Sequence, residues 1–265
     1  MSRLAILAFG GGLPGALAAA HPDALFVDFG ASVPPPGIET FKASVARWGA
    51  MIEAMRAAGV TDMVLAGGLR RPNFNPLELD DYTKLLLPRL APVLAQGDDA
   101  LLRFVIGVFE AEGFTVRGAH TLLPGLTRPE GPVAGAAPSA ADEVDIAKAR
   151  AILEALGRED VGQGAVVRAG LCVGIETVQG TDAMLEFVAR TRDDKANGGV
   201  LVKAPKPGQD LRVDMPAIGP GTVAAARAAG LNGIAIAAGS VVVLDSAQTI
   251  ADAEAAGLFI VALAF

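Results

Sequence analysis

Residues Leu4–Asp28, LAILAFGGGLPGALAAAHPDALFVD, decide the fold class. Leu4–Phe9 is an unbroken apolar run and reads as a buried strand, and three glycines follow it. Leu13–Ala20 then has the composition of a short helix, and Leu25–Asp28 reads as a second strand. Strand, glycine turn, helix and strand in that order open an α/β domain with a parallel sheet. Gly10, Gly12 and Gly15 also satisfy the spacing G-x-G-x-x-G. Asp28 ends the next strand, near the roughly 20-residue distance of a ribose-binding acid. Glycines at such a junction let backbone N–H groups and a helix N-terminus approach an anion. Three readings of Gly10, Gly11 and Gly12 therefore stay open: a loop contacting phosphate or sugar, a nicotinamide-dinucleotide fingerprint, or a purely structural turn. Pro14 in the first turn of a short helix weighs against the second, as does the lack of a hydride-transfer constellation. No Gly-Lys-Ser/Thr follows any loop, which excludes a Walker-type phosphate loop.

The alternation continues outward from this unit. Thr40–Ala58 has helical spacing and stops at Gly59, Asp62–Ala66 is a strand, and Asp80–Ala95 is a helix that Pro88 should kink or split. Ala100–Glu112 is a helix, with Asp98 or Asp99 as its cap and Gly113 as its stop. The segment PGLTRPEGPVAGAAPSAA, Pro124–Ala141, has no periodicity and reads as a linker over 125–141. It separates an N-terminal Rossmann-like α/β domain (1–124) from a C-terminal mixed-sheet α/β domain (142–265). The second half predicts helices over Asp142–Leu156, Asp182–Arg190, Gly221–Ala229 and Ala247–Ala256. Its predicted strands are Ala165–Glu176, Gly199–Ala204, Gly233–Ala237, Val241–Leu244 and Leu258–Leu263.

Composition narrows the function classes. With 265 residues, 52% of them hydrophobic and 19% charged, the chain is long enough for one large or two ordinary domains and is expected to be ordered. A mean hydropathy of +0.44 would suit a membrane protein, yet no apolar run reaches the ~20 residues of a spanning helix. The apolar run near the N-terminus is too short for a signal peptide. A net charge of −7 argues against nucleic acid as a partner but leaves room for a local basic cluster. Cys172 is the only cysteine, so no intrachain disulfide forms and a cytoplasmic, reducing location is expected. Its apolar neighbours predict a buried structural thiol.

The basic cluster lies in KAPKPGQDLRVD, Lys203–Asp214. A strand delivers Lys203, two prolines and a glycine stiffen the adjoining loop, and Lys206, Gln209, Asp210, Arg212 and Asp214 crowd along it. Cations and carboxylates on a stiff loop at a strand end suit a diphosphate held by Lys and Arg, with a divalent metal on an Asp. The plain alternative is a solvated loop whose charges pair with one another. Arg70 and Arg71 follow another strand end, and Asp160–Gly164 and Glu176–Asp182 bring polar groups beside strand ends. Thr181 and Asp182 read as helix caps that could also touch a ligand. His120 reads equally as a substrate contact or a structural side chain. His21 and His120, far apart in sequence, do not suggest a metal pair.

KAPKPGQDLRVDMPAIGPGTV, together with DVGQGAVV, IETVQGTDAML, GDDALLR, FEAEGF and GAH, resembles the LpxI-type UDP-2,3-diacylglucosamine pyrophosphatases of lipid A biosynthesis. The resemblance runs from FGGGLPGALA to the last strand. It implies a hydrolase that converts UDP-2,3-diacylglucosamine to 2,3-diacylglucosamine 1-phosphate (lipid X) and UMP, with the ligand held between two α/β domains. It also implies a divalent metal cofactor, magnesium being the expected ion. The family aspartate of the RVD-x-P motif falls on Asp214, the expected catalytic residue and metal ligand. The family lysine of KAPKP falls on Lys203, expected to act in catalysis, and the AG-x-x-x-RP loop places Arg71 at the substrate. Gly10, Gly11, Gly12, Gln163, Thr181, Lys203 and Lys206 complete the expected substrate contacts. A lipid-linked substrate implies transient contact with the cytoplasmic face of the inner membrane, and a homodimer is a further expectation. Two other classes remain on the residues alone: a nicotinamide-dependent oxidoreductase using the G-x-G-x-x-G turn, and a non-catalytic nucleotide-sugar or lipid-binding protein.

Overall fold

The computed structural model describes residues 2–68, 76–94, 98–192 and 198–265, which fall into two compact units. The N-terminal unit comprises the chain up to Pro124 together with Arg212–Asp214. Its strands are β1 (Arg3–Ala8), β2 (Leu25–Asp28), β3 (Thr40–Lys42), β4 (Val60–Ala66) and β5 (Thr115–Val116). All pair in parallel, in the order β3-β2-β1-β4-β5. The chain steps outward from β1 on one side and returns to β4 on the other. This is the Rossmann arrangement, with its switch point at the carboxyl ends of β1 and β4. Helices α1 (Leu13–Ala20), α2 (Trp48–Ala57), α3 (Asp81–Leu94) and α4 (Asp98–Ala111) lie between the strands in chain order, and the short α5 (Ala119–Leu122) follows β5. Leu7, Val27, Met51, Met55, Met63 and Phe109 form the heart of the core, and Trp48 stacks on Phe109 at 5.4 Å between ring centroids.

Two expectations for this unit need correction. Thr40–Ala58 is not one helix: Thr40–Lys42 adds an edge strand beside β2, and α2 starts only at Trp48. The start of α2 is set from outside the segment. Trp48 N–H donates to Thr83 Oγ1 at 2.9 Å and Ala50 N–H to Asp80 Oδ2 at 3.1 Å, so the cap is invisible in the local sequence. Helix α3 runs unbroken through Pro88 and Pro92. Both prolines are exposed, so neither ring has to fit into the core.

The C-terminal unit comprises Gly125–Leu211 and Met215–Phe265. Its strands are β6 (Gly131–Ala134), β7 (Gly164–Arg168), β8 (Leu171–Ile175), β9 (Val200–Lys203), β11 (Gly233–Ala237) and β13 (Phe259–Leu263), in the order β6-β13-β11-β9-β7-β8. Strands β9, β11 and β13 are parallel, whereas β6, β7 and β8 each run antiparallel to a neighbour, so the sheet is mixed. A small parallel pair joins β10 (Ala217–Ile218) to β12 (Val242–Val243). Helices α6 (Ala140–Gly157), α7 (Gly180–Thr191), α8 (Pro220–Ala228) and α9 (Ser246–Ala256) pack with this sheet around Leu185, Leu201, Val202, Ile234 and Ile236.

Three readings change here. The segment 125–141 is more than a linker, because Gly131–Ala134 forms the edge strand β6 against β13. Gly131 and Pro132 mask the strand in the sequence, and both are tolerated because an edge strand pairs on one side only. Ala165–Glu176 is a hairpin rather than one strand: Ala169 and Gly170 both take positive φ (48° and 75°) between β7 and β8. Asp145 of α6 accepts from both turn amides, at 3.0 and 2.7 Å, a cap supplied from a distant element. Cys172 is exposed rather than buried, because β8 lies at the sheet edge. Among the described residues, no helix is long and apolar enough to cross a membrane.

Helix α6 begins with a capping box in which Ser139 Oγ accepts from Asp142 N–H at 3.3 Å, and Asp142 Oδ2 accepts from Ser139 N–H at 2.9 Å. Asn232 Nδ2 adds a bond to Asp142 Oδ1 at 2.8 Å. Burial alone would raise the Asp142 carboxyl, but the bonds from Ser139 and Asn232 outweigh it and hold it below the usual value. Asp142→Ala should therefore cost about 1–3 kcal/mol in denaturant titrations at neutral pH. A depressed carboxylate stabilises above its unfolded pKa, so the gap between wild type and variant should shrink as pH falls below about 4. For Cys172, a thiol reagent should titrate one equivalent in the native protein without denaturant, and none in Cys172→Ser.

Candidate functional site

Strand β9 is buried at every position and ends on Lys203, between β11 and β7. Lys203 is only 3% exposed. Its Nζ donates to Thr181 Oγ1 at 2.6 Å and to the Ala217 carbonyl at 3.2 Å. Glu176 Oε2 lies 3.6 Å from the same nitrogen and accepts from Thr181 Oγ1 at 3.1 Å. The ammonium is thus held in a polar triangle with Glu176 and Thr181. A buried charge is tolerated only when paired and hydrogen-bonded in this way.

The loop after β9 is fixed by its own sequence. Gln209 N–H donates to the Lys206 carbonyl at 3.1 Å, with Pro207 and Gly208 at the corners and Gly208 at φ +76°. Proline followed by a left-handed glycine is the type II turn pattern. Lys206 N–H returns a bond to Gln209 Oε1 at 2.8 Å, and Gly157 at the end of α6 closes on the ring of Pro207. The loop preceding β7 clamps the other side. Ala204 N–H donates to the Gln163 carbonyl at 3.1 Å, Gln209 Nε2 to Gln163 Oε1 at 3.3 Å, and Lys206 Nζ pairs with Asp160. Lys203, Lys206, Gln163 and Thr181 therefore come together in the C-terminal unit, at the carboxyl end of β9.

The remaining predicted residues lie elsewhere. Arg212–Asp214 belong by their contacts to the N-terminal unit, so the segment read as one site is divided after Leu211. In that unit Val213 packs on the core, and Arg212 Nη1 meets Glu110 Oε1 at 2.6 Å. A side chain on Gly118 would come within 2.5 Å of the His120 ring and 3.3 Å of Arg212 Cα, so the GAH and RVD motifs pack together. The buried Nδ1 of His120 has no hydrogen-bond partner among the described residues. Asp214 is half-buried. Gly10, Gly11 and Gly12 lead from β1 to α1 at the switch point. Gly10 and Gly68 exchange backbone bonds of 3.2 and 3.0 Å, which commits the Gly10 amide to the fold. Asp28 Oδ1 accepts from Gly30 N–H at 2.7 Å, a local turn bond. Arg71 lies outside the described residues.

Glu176 and Asp160 are legible in the sequence only as polar groups beside strand ends, yet they are direct partners of Lys203 and Lys206. The usable signal is an acid one residue past a strand, opposite a G-x-G pair, since Gly162 and Gly164 leave the room that Glu176 fills.

A parallel sheet of Rossmann order and a mixed sheet with stiff charged loops define a two-domain α/β protein of the kind that binds ligands at strand carboxyl ends. The chain belongs to the LpxI family: the LpxI N-terminal domain matches residues 3–126 and the LpxI C-terminal domain residues 129–261. It is also 39% identical, over 273 aligned positions, to the UDP-2,3-diacylglucosamine pyrophosphatase LpxI of Caulobacter vibrioides. That match covers 98% of this chain and 97% of the relative.

The two lysines differ in what they support. Lys203 and Glu176 are both buried, so Lys203→Met strands a carboxylate and should cost about 3–5 kcal/mol of stability in urea titrations. The Lys206–Asp160 pair is partly exposed, and Lys206→Ala should cost no more than about 1 kcal/mol.

Proposed function

We propose that this protein hydrolyses the diphosphate of UDP-2,3-diacylglucosamine to lipid X and UMP, a step of lipid A biosynthesis, with a divalent metal ion as cofactor. The observation that carries the reading is the 39% identity to a UDP-2,3-diacylglucosamine pyrophosphatase along 98% of the chain. The shared length includes both family domains, so the comparison concerns the whole catalytic unit rather than one fold module.

Hydrolysis of a diphosphate builds negative charge on the transferring and leaving oxygens, and fixed cations stabilise it. Lys203, Lys206 and Arg71 supply that positive charge, while Gln163 and Thr181 orient the phosphate or sugar. Gly11 and Gly12, with Gly10 tying their turn to Gly68, offer backbone contacts at the switch point. Among the described residues no three His, Cys, Asp or Glu side chains gather into a metal cage. Magnesium asks for less, since one or two carboxylates, substrate phosphates and water complete its octahedron. Asp214, half-buried and two residues from Arg212, fits that single protein ligand. When bound, the ion would neutralise phosphate charge and orient water. A lipid-borne substrate further implies transient docking on the inner membrane from the cytoplasm, and a homodimer is compatible with this reading.

Incubation with UDP-2,3-diacylglucosamine and magnesium should release UMP, and no release above a protein-free control would sink the reading. Asp214→Ala should abolish turnover while leaving the melting temperature nearly unchanged. A collapse of the melting temperature would make Asp214 structural instead.

A further inference from the structure

Glu176 contacts Lys203 from a position whose surroundings are shaped for an acid. It directly follows β8, is 7% exposed, and sits between the exposed residues Ile175 and Thr177. Its N–H donates to the Gly164 carbonyl at 2.8 Å, which extends the β7–β8 ladder by one step. Gly164 pairs in register with Lys203 on β9. A Cβ on Gly164 would lie 2.2 Å from Glu176 Oε2, so the carboxylate fills the volume a side chain would take beside Lys203. A Cβ on Gly162 would lie 2.0 Å from the Glu176 carbonyl, so the second glycine admits its backbone.

Two glycines in a strand and its approach weaken a sheet, since each loses more backbone freedom on folding and packs nothing. A buried ion pair is also a poor device for stability, because an apolar pair of equal volume often does as well. Both costs are borne here to put one carboxylate beside one ammonium. Thr181 links them, accepting from Lys203 at 2.6 Å and donating to Glu176 at 3.1 Å. The hydroxyl is thereby fixed in one rotamer at the start of α7, and the lysine tip at the end of β9.

Resting on the pyrophosphatase reading above, we propose that Glu176 is a positioning residue for that reaction. It holds the Lys203 ammonium and the Thr181 hydroxyl in the arrangement that turnover requires, without itself touching substrate.

Glu176→Gln keeps the shape and removes the charge. Assayed where circular dichroism shows the variant folded, it should lower kcat about tenfold to a hundredfold, with KM changing by less than about threefold. Glu176→Asp, which keeps the charge on a shorter arm, should recover part of the loss. Glu176→Gln combined with Lys203→Met should lose no more turnover than the lysine change alone. Unchanged kcat with only a lower melting temperature overturns the proposal, as does a multiplicative loss in the double variant. If Glu176→Gln does not fold, Gly164→Ala serves in its place. It retains both charges while displacing the carboxylate, and full activity in it overturns the proposal. A readout independent of turnover is the ¹⁵N ammonium resonance of Lys203. It should be protected from exchange in wild type and lost in Glu176→Gln, and its survival overturns the proposal. A wild type that releases no UMP overturns the parent reading, and the ammonium signal then shows separately whether Glu176 fixes Lys203.

Discussion

Taking a lysine ammonium out of water costs several kcal/mol unless its donors are met at close range, and Lys203 is taken almost wholly out of water. The C-terminal unit is arranged around meeting that cost. Glu176 and Thr181 come from the stretch that leads from the end of β8 into the first turn of α7, the Ala217 carbonyl from β10, and the flanking register from β7 and β11. Four separate chain segments must therefore be in place before the charge is tolerable. The same requirement fixes the adjoining loop, because Ala204 is already bonded to Gln163 one residue after the lysine. The charge specifies one arrangement of those segments more than it adds stability, since any register slip along β9 would strand it in an apolar core.

The N-terminal sheet is readable because each β1–β2–β4 step is an apolar run bounded by glycine or an acid, and such runs are what a parallel sheet covered on both faces demands. The elements that depart from the sequence pattern share one physical cause: their boundaries are set by groups distant in sequence. The start of α2 is capped by Asp80 and Thr83, and the β7–β8 turn by Asp145. Ala169-Gly170 lacks the Asn-Gly or Asp-Gly signature of a two-residue hairpin, and the missing polar side chain is supplied in space by Asp145. Cys172 departs for a related reason. Apolar neighbours indicate a strand but not whether it lies at the centre of a sheet or at its edge.

The candidate site is legible as a set of residues and only partly as an arrangement. Lys203, Lys206, Gln163 and Thr181 each stand out by charge, proline stiffening or position at a strand end, and the fold brings them together. Asp214 is near them in sequence, yet its contacts belong to the N-terminal unit. No local pattern announces that change of partner within the short step from Leu211 to Arg212. Val213 is the one hint, an apolar residue between two charges that packs on the other unit's core.

The glycines illustrate how one composition signal covers two physical tasks. At the first turn, the G-x-G-x-x-G spacing suggests a cradle for phosphate. In the fold, Gly10 exchanges bonds with Gly68, and a Cβ on Gly67 would lie 2.2 Å from the Gly10 carbonyl, so part of that motif joins two loops at the switch point. In DVGQG, a motif to which sequence spacing gives less weight, Gly162 admits the backbone of Glu176 and Gly164 admits its carboxylate, which faces a buried lysine. A motif search weights the first pattern because it is common in dinucleotide folds. A steric reading weights the second, because the missing side chain at Gly164 leaves a space that Glu176 fills. Where an acidic side chain occupies the Cβ position of a glycine beside a buried cation, the glycine marks the charge pair more specifically than it marks the turn.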